Sequence, residues 1–243
     1  VTKSRVFVNE PLSPGGQIIL PADAARHLVQ VLRMRLGEHF ILFNGQGGEY
    51  EATLQAISKR ETVATVGARR DVNRESPLHI TLAQCVSKGD RMEYTLQKAV
   101  ELGVTEIVPL LSSRTVVKLD AERWERKLEH WQGIVVSACE QSGRTRLPAL
   151  RAVADISHWL RYSPTDSIKL VLAPGAREGL RKLKSTVKPV TLLVGPEGGL
   201  SNIEIVQAET LGFSPLSLGP RVLRTETAGV AALAAIQALW GDW

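Results

Sequence analysis

With 243 residues, 44% of them apolar, the chain is long enough for one large domain or two ordinary ones with a sizeable core. A formal charge of +5 permits a nucleic-acid partner without requiring one, while two cysteines and five scattered histidines argue against a disulfide framework or a metal site, so no metal is expected. No apolar run reaches membrane-spanning length and the first residues lack a signal-peptide pattern, which points to a reducing, cytoplasmic setting with no membrane partner.

Arg5-Val6-Phe7-Val8 reads as a strand and Pro11 to Gly16 as a turn. Asp23 is placed to cap a short helix carrying Ala24, Leu28, Val31 and Leu32, and Gly37 then breaks the chain. His39 to Phe43, Tyr50 to Ile57 and Thr62 to Val66 read as strands, with Asn44-Gly45 and Gly47-Gly48 as a hairpin signal. Short strands with glycine-rich turns predict a small β-barrel holding one helix over residues 1–72. The polar stretch Arg69 to Ser76, followed by Pro77, reads as a linker.

From Leu78 the pattern alternates strand and helix, which defines an α/β fold. His79 to Val86 is a strand. Asp90 to Leu102 is an amphipathic helix carrying Met92, Leu96, Ala99, Val100 and Leu102, closed by Gly103. Ile107 to Leu111 is the next strand. A long helix follows from about Ala121 to Gln141, its core stripe being Trp124, Leu128, Trp131, Val135 and Ala138. Asp155 begins a short helix bearing Trp159, and Ile168 to Ala173 and Val190 to Val194 are strands. The last helix, about Thr227 to Trp240, is rich in alanine and suits close packing within the chain.

Two glycine-proline turns near the C-terminus carry the chemistry. The first is Gly195-Pro196-Glu197-Gly198-Gly199-Leu200-Ser201, the second Leu218-Gly219-Pro220-Arg221-Val222-Leu223-Arg224-Thr225-Glu226-Thr227. Each joins a strand to a helix, and such turns gather at the ligand-binding edge of an α/β sheet. Glycines let a ligand approach the backbone, and Ser201 with Glu204 has the spacing of a capping box. Glu197 would repel a triphosphate but suits a ribose hydroxyl, a cation or an arginine. The dinucleotide fingerprint, which needs Gly-x-Gly-x-x-Gly and an acid about 20 residues on, is absent, as is the Walker sequence. In the second turn Arg224 is placed to pair with Glu197 or Glu226, or to hold a phosphate. Arginines also gather in other loops: Arg33 and Arg35, Lys88 and Arg91, Arg144 and Arg146. With Arg5 of the first strand these are the candidate RNA contacts, and such contacts are sequence-neutral and salt-sensitive.

At these residues the chain resembles the bacterial 16S rRNA uridine-N3 methyltransferases of the SPOUT superfamily. The matching stretches include Val31-Leu32-Arg33-Met34-Arg35, Lys88-Gly89-Asp90-Arg91-Met92-Glu93, Ala138-Cys139-Glu140-Gln141-Ser142-Gly143-Arg144 and both glycine-proline turns. The resemblance implies a SPOUT-type α/β domain over residues 73–243 ending in a deep trefoil knot, beside a PUA-like N-terminal barrel that helps hold RNA. It implies a homodimer acting on 16S rRNA of the small ribosomal subunit. It also implies that S-adenosylmethionine binds at Leu172, Pro174, Gly195, Pro196, Glu197, Gly198, Leu218, Gly219, Val222 and Leu223. The family pattern has a histidine where Ala173 stands here. N3 of uracil must lose a proton to attack a methyl sulfonium, so a base or an anion stabiliser is needed, together with alignment of the two reactants. Arg224 is the expected stabiliser, and Glu197 and Glu226 are the candidate bases. Two alternatives stay open on the residues alone: a SPOUT enzyme acting on another RNA position, and a non-catalytic RNA-binding adaptor.

Overall fold

A computed structural model describes residues 4–179 and 188–243 of the chain. They divide into two units, one running to Glu75 and taking in Cys139–Leu147, the other comprising Ser76–Ala138 and Pro148–Trp243.

In the first unit β1 (Arg5–Phe7), β2 (Gln17–Ile19), β3 (His39–Phe43), β4 (Glu49–Ile57) and β5 (Thr62–Arg70) form one sheet in the order β1-β3-β4-β5-β2. β1 runs parallel to β3, and the other neighbours are antiparallel. Alternation along β4 and β5 turns Ala52, Leu54, Ala64 and Val66 inward, where they meet Val6, Ile18, Phe40 and Leu42. Every strand therefore feeds one core. Helix α1 (Ala22–Arg26) takes Pro21 as its N-cap residue, so Asp23 stands in the first turn and not at the cap. The chain continues as a π-helical turn, His27–Val31, whose wider winding leaves Leu28 buried but Val31 and Leu32 exposed. Part of the stretch read as a linker is also strand: Arg69 and Arg70 of β5 pair with Tyr50 and Glu49 of β4.

The segment 139–147 joins this unit through hydrogen bonds that no local pattern announces. The Glu75 carboxylate accepts from the backbone N–H groups of Thr145 and Arg146 at 3.0 and 3.1 Å, and Glu140 accepts from that of Phe7 at 2.9 Å. Gly47 N–H donates to the Thr145 carbonyl at 3.2 Å. These residues group with the first unit although their partners lie 70 to 133 residues away in sequence.

The second unit runs β6 (Ile80–Cys85), α2 (Asp90–Glu101), β7 (Glu106–Leu111), α3 (Ala121–Ser142), β8 (Ala149–Leu150), β9 (Ala154–Asp155), α4 (Ile156–Tyr162), β10 (Ile168–Leu172), β11 (Val190–Val194), α5 (Asn202–Thr210), β12 (Ser214–Leu216) and α6 (Thr225–Trp240). The sheet order is β12-β10-β11-β6-β7-β8, with β9 also against β7, and every pair is parallel. β6 and β11 are buried at every residue, as strands covered on both faces must be. α2 buries Met92, Leu96, Ala99 and Val100. In α3, Trp131, Val135 and Ala138 are buried, and Trp124 lies half-buried against Trp131 with ring centroids 6.3 Å apart. The small residues of α6 let it pack directly on α2 and β11, with Gly229, Ala232, Leu233 and Ile236 buried. Parallel pairing brings the loops after β6, β7, β10, β11 and β12 to a single edge of the sheet.

Candidate ligand site at the C-terminal edge of the sheet

That edge holds a cavity of about 410 Å³, within the range of small-molecule sites. Its walls are the loops after β10, β11 and β12. Leu172, Pro174, Gly195, Pro196, Glu197, Gly198, Leu218, Gly219, Val222 and Leu223 all line it, so the ten residues named from the sequence as ligand contacts come together in one place. Val194, Leu200, Ile205, Leu216 and Ala228 supply further apolar wall, which suits a flat aromatic ring. Ala173 lies in the wall too. At Gly195 the loop folds back so tightly that a Cβ would stand 2.9 Å from the Leu200 nitrogen, which requires glycine.

Hydrogen bonds hold this loop from three sides. Thr225, the first residue of α6, donates its hydroxyl to the Gly195 carbonyl at 2.6 Å and accepts from Gln84 Nε2 of β6 at 3.0 Å. Arg114, after β7, donates to the carbonyls of Gly198 and Leu200 at 2.9 and 3.3 Å. Ser201 and Glu204 form the expected capping box at the start of α5, and Glu204 also accepts from the Ser113 N–H at 2.8 Å. Burial works to raise the Glu204 pKa, but the Ser113 and Ser201 donors outweigh it and hold the carboxyl below its usual range. Arg114 and Thr225 also line the cavity; Thr225 belongs to the second turn quoted from the sequence but was not marked as a ligand contact, and Arg114 was not named at all. The available signal was topological: Arg114 follows a strand parallel to β6, so its loop must surface at the same edge.

The charged residues are arranged differently from the sequence expectation. Glu197 pairs with Arg91 of α2 at 3.0 Å, not with Arg224, and accepts from the Lys88 N–H at 2.8 Å. Burial acts to raise the Glu197 pKa, but the Lys88 and Glu197 N–H groups and the Arg91 guanidinium outweigh it, leaving the carboxyl below its usual range. The Arg91 Nε lies 3.9 Å from Glu226 Oε1, so one guanidinium stands between the two acids. Glu226 Oε2 is buried with no hydrogen-bond partner among the described residues. Arg224 occupies the N-cap position of α6, is exposed, and makes no ion pair among the described residues. Arg224 and Glu226 thus stand beside the cavity, while Glu197 forms part of its wall.

Two of the expected RNA contacts are excluded from that role by burial. The Arg5 side chain is only 8% exposed and pairs with Glu49, and Arg144 is 5% exposed and pairs with Glu75 at 2.6 Å. Both guanidiniums are committed to structural carboxylates. Arg33, Arg35, Lys88 and Arg146 are exposed, and Arg33 is held in a left-handed backbone at φ 54°.

An all-parallel sheet with a loop-lined cavity at its C-terminal edge, in a chain that also contains a small mixed β-unit, has the architecture of a SPOUT-type methyltransferase joined to a PUA-like domain. Residues 74–237 match the RNA methyltransferase domain family, and residues 20–66 match the RNA methyltransferase PUA domain. Among solved structures, a Legionella pneumophila protein with the cofactor SAM bound is 42% identical, with full coverage of both chains and a TM-score of 0.97. The ribosomal RNA small subunit methyltransferase E of Neisseria gonorrhoeae, bound to S-adenosyl methionine, is 41% identical over 99% of each chain with a TM-score of 0.93. The protein of that name from Buchnera aphidicola is 32% identical over 240 residues, 98% of this chain and 94% of the relative. The chain belongs to the ribosomal RNA small subunit methyltransferase E family.

Proposed function

We propose that this protein uses S-adenosylmethionine to methylate N3 of a uridine in 16S rRNA of the small ribosomal subunit, in the cytoplasm. The observation that carries the reading is the cavity itself: all ten residues that the family resemblance marks as cofactor contacts line one space of suitable volume. Two relatives above 40% identity were solved with this cofactor bound. The apolar walls fit the adenine ring, and the folded backbone at Gly195 to Gly199 fits the polar sugar and amino-acid portions. When bound, the cofactor supplies an electrophilic methyl group on a sulfonium, chemistry that needs no metal.

Of the two candidate bases, Glu226 is the better suited. Glu197 is already satisfied by Arg91 and Lys88, and its lowered pKa makes it a poor proton acceptor. Glu226 Oε2 is buried without a hydrogen-bond partner among the described residues, so it is uncommitted and takes the N3 proton once RNA binding opens a path to it. Arg224, exposed and unpaired among the described residues, stabilises negative charge as it grows on the uracil oxygens. Arg91 fixes the spacing of the two acids.

Two structural expectations accompany this reading. β12 lies at the sheet edge, whereas α6, which follows it, packs on α2 and β11. The chain thus returns across its own loops, which supports the trefoil knot. Val222 lines the cavity yet is 81% exposed, which supports a homodimer whose second copy covers that wall.

The test is methyl transfer from labelled S-adenosylmethionine to small ribosomal subunits from cells lacking the modification, with the product nucleoside identified. Label at N3 of one uridine is expected. No label in RNA overturns the activity, and label on a ribose hydroxyl overturns the target atom.

A further inference from the structure

In the first unit, the turn between β3 and β4 gathers more arginines than its acids can neutralise. Glu49, directly after Gly47-Gly48, is 3% exposed and is contacted by three arginines. Arg5 forms the buried ion pair. Arg70 and Arg74 reach the same carboxylate at 3.7 and 3.5 Å with half-exposed side chains. Arg74 also donates to the Gly143 carbonyl at 3.0 Å. Arg69 lies 3.6 Å from the exposed Asp71. Arg5 already balances the buried Glu49 carboxylate, so Arg70 and Arg74 are in excess of it and are held close against their mutual repulsion, while the partner of Arg69, Asp71, is exposed to solvent.

The two glycines seat this excess. Gly47 and Gly48 have φ of 94° and 73°. A Cβ on Gly48 would stand 2.9 Å from Arg69 Nη2, and one on Gly47 would stand 3.1 Å from Arg146 Nη2. The bare backbone thus gives each guanidinium a place to lie, Arg69 against Gly48 and Arg146 against Gly47. Arg69 and Arg70 sit in the stretch that composition marks as a linker, which hid them as ligands.

We propose that Arg69, Arg70, Arg74 and Arg146 form a phosphate-binding face for the backbone of the RNA substrate, in place of the buried Arg5 and Arg144. The proposal rests on the RNA methyltransferase reading above. Half-exposed guanidinium forks match phosphate oxygens. The one aromatic residue next in the strand, Tyr50, is buried, so this face has no base-stacking surface there and reads charge, not sequence.

The experiment measures binding of a fluorescent RNA hairpin of mixed sequence to the full chain across a sodium chloride titration. The variants are the triple R69Q/R70Q/R146Q, which leaves the Arg5–Glu49 pair intact, and R60Q, an exposed arginine on the turn between β4 and β5. The triple variant is expected to bind about tenfold or more weakly at low salt, and its log–log salt slope to be shallower by about 2, with R60Q matching wild type. S-adenosylmethionine affinity and melting temperature are expected to stay at wild-type values. An unchanged salt slope in the triple variant, or an equal loss in R60Q, overturns the proposal. A wild-type chain that binds this RNA through the face but transfers no methyl group to small ribosomal subunits overturns the catalytic reading alone, and one that methylates those subunits but does not bind this RNA overturns the phosphate face alone.

Discussion

Arg91 is the residue on which the charged side of the cavity turns. It contacts Glu197 of the first glycine-proline turn and stands beside Glu226 of the second, so it holds apart two acids that would otherwise repel. This division of labour gives distinct outcomes for two isosteric changes. Glu226→Gln is expected to lower kcat by about 10²-fold or more and to leave cofactor affinity unchanged, the signature of a lost proton acceptor. Glu197→Gln is expected to act mainly on the KM for S-adenosylmethionine, because it loosens a loop that lines the cavity. Steady-state kinetics over a pH series checks both. Eight of the ten cavity residues lie in two short turns of distinctive composition, while Leu172 ends β10 and Pro174 follows it, and the family resemblance marked all ten. The partner of Glu197 was not legible: Arg91 is 106 positions away, and only the parallel pairing of β6 with β11 brings it near.

Among the elements, α5 shows how a local signal acquires a distant use. Ser201-x-x-Glu204 is readable as a capping box, and the structure contains it. The same Glu204 carboxylate also accepts from Ser113, which fastens the loop after β7 to the start of α5 and sets Arg114 against the cavity loop. Glu204→Ala removes several charge-assisted hydrogen bonds at a buried site and is expected to cost about 1–3 kcal/mol, read as a lowered denaturation midpoint. The pH dependence has a definite sign. The folded-state carboxyl titrates below its unfolded value, so its contribution is complete above the unfolded pKa and is lost as pH falls through the folded one. The gap in Tm between wild type and Glu204→Ala should therefore be widest near neutrality and shrink in acid. Other elements left no readable trace. β8 and β9 are two residues each, too short for any alternation to register, and exist because β7 offers them an edge. The π-helical turn escaped because its i→i+5 winding breaks the 3.6-residue pattern by which helices are read.

For the whole molecule, the cavity wall at Val222 and the apolar Ile203 and Val206 of α5, 81% and 59% exposed, are the surface that a second copy would cover. Light scattering at working concentration is expected to give twice the chain mass. A charged residue in place of Val222 is expected to shift the protein toward monomer and to weaken methyl transfer with it, whereas a wild-type monomer of full activity would remove the shared site. The grouping of Cys139–Leu147 with the N-terminal unit has a further consequence, for the order of synthesis. A chain emerging from the ribosome cannot complete its first unit when Glu75 appears, since Glu75 finds Arg144, Thr145 and Arg146 only after β6, α2, β7 and α3 have been made. Folding of the N-terminal unit is thereby timed by the second, and cutting the gene at the apparent linker would yield an N-terminal fragment without Cys139–Leu147 and a C-terminal fragment carrying that segment without its partners.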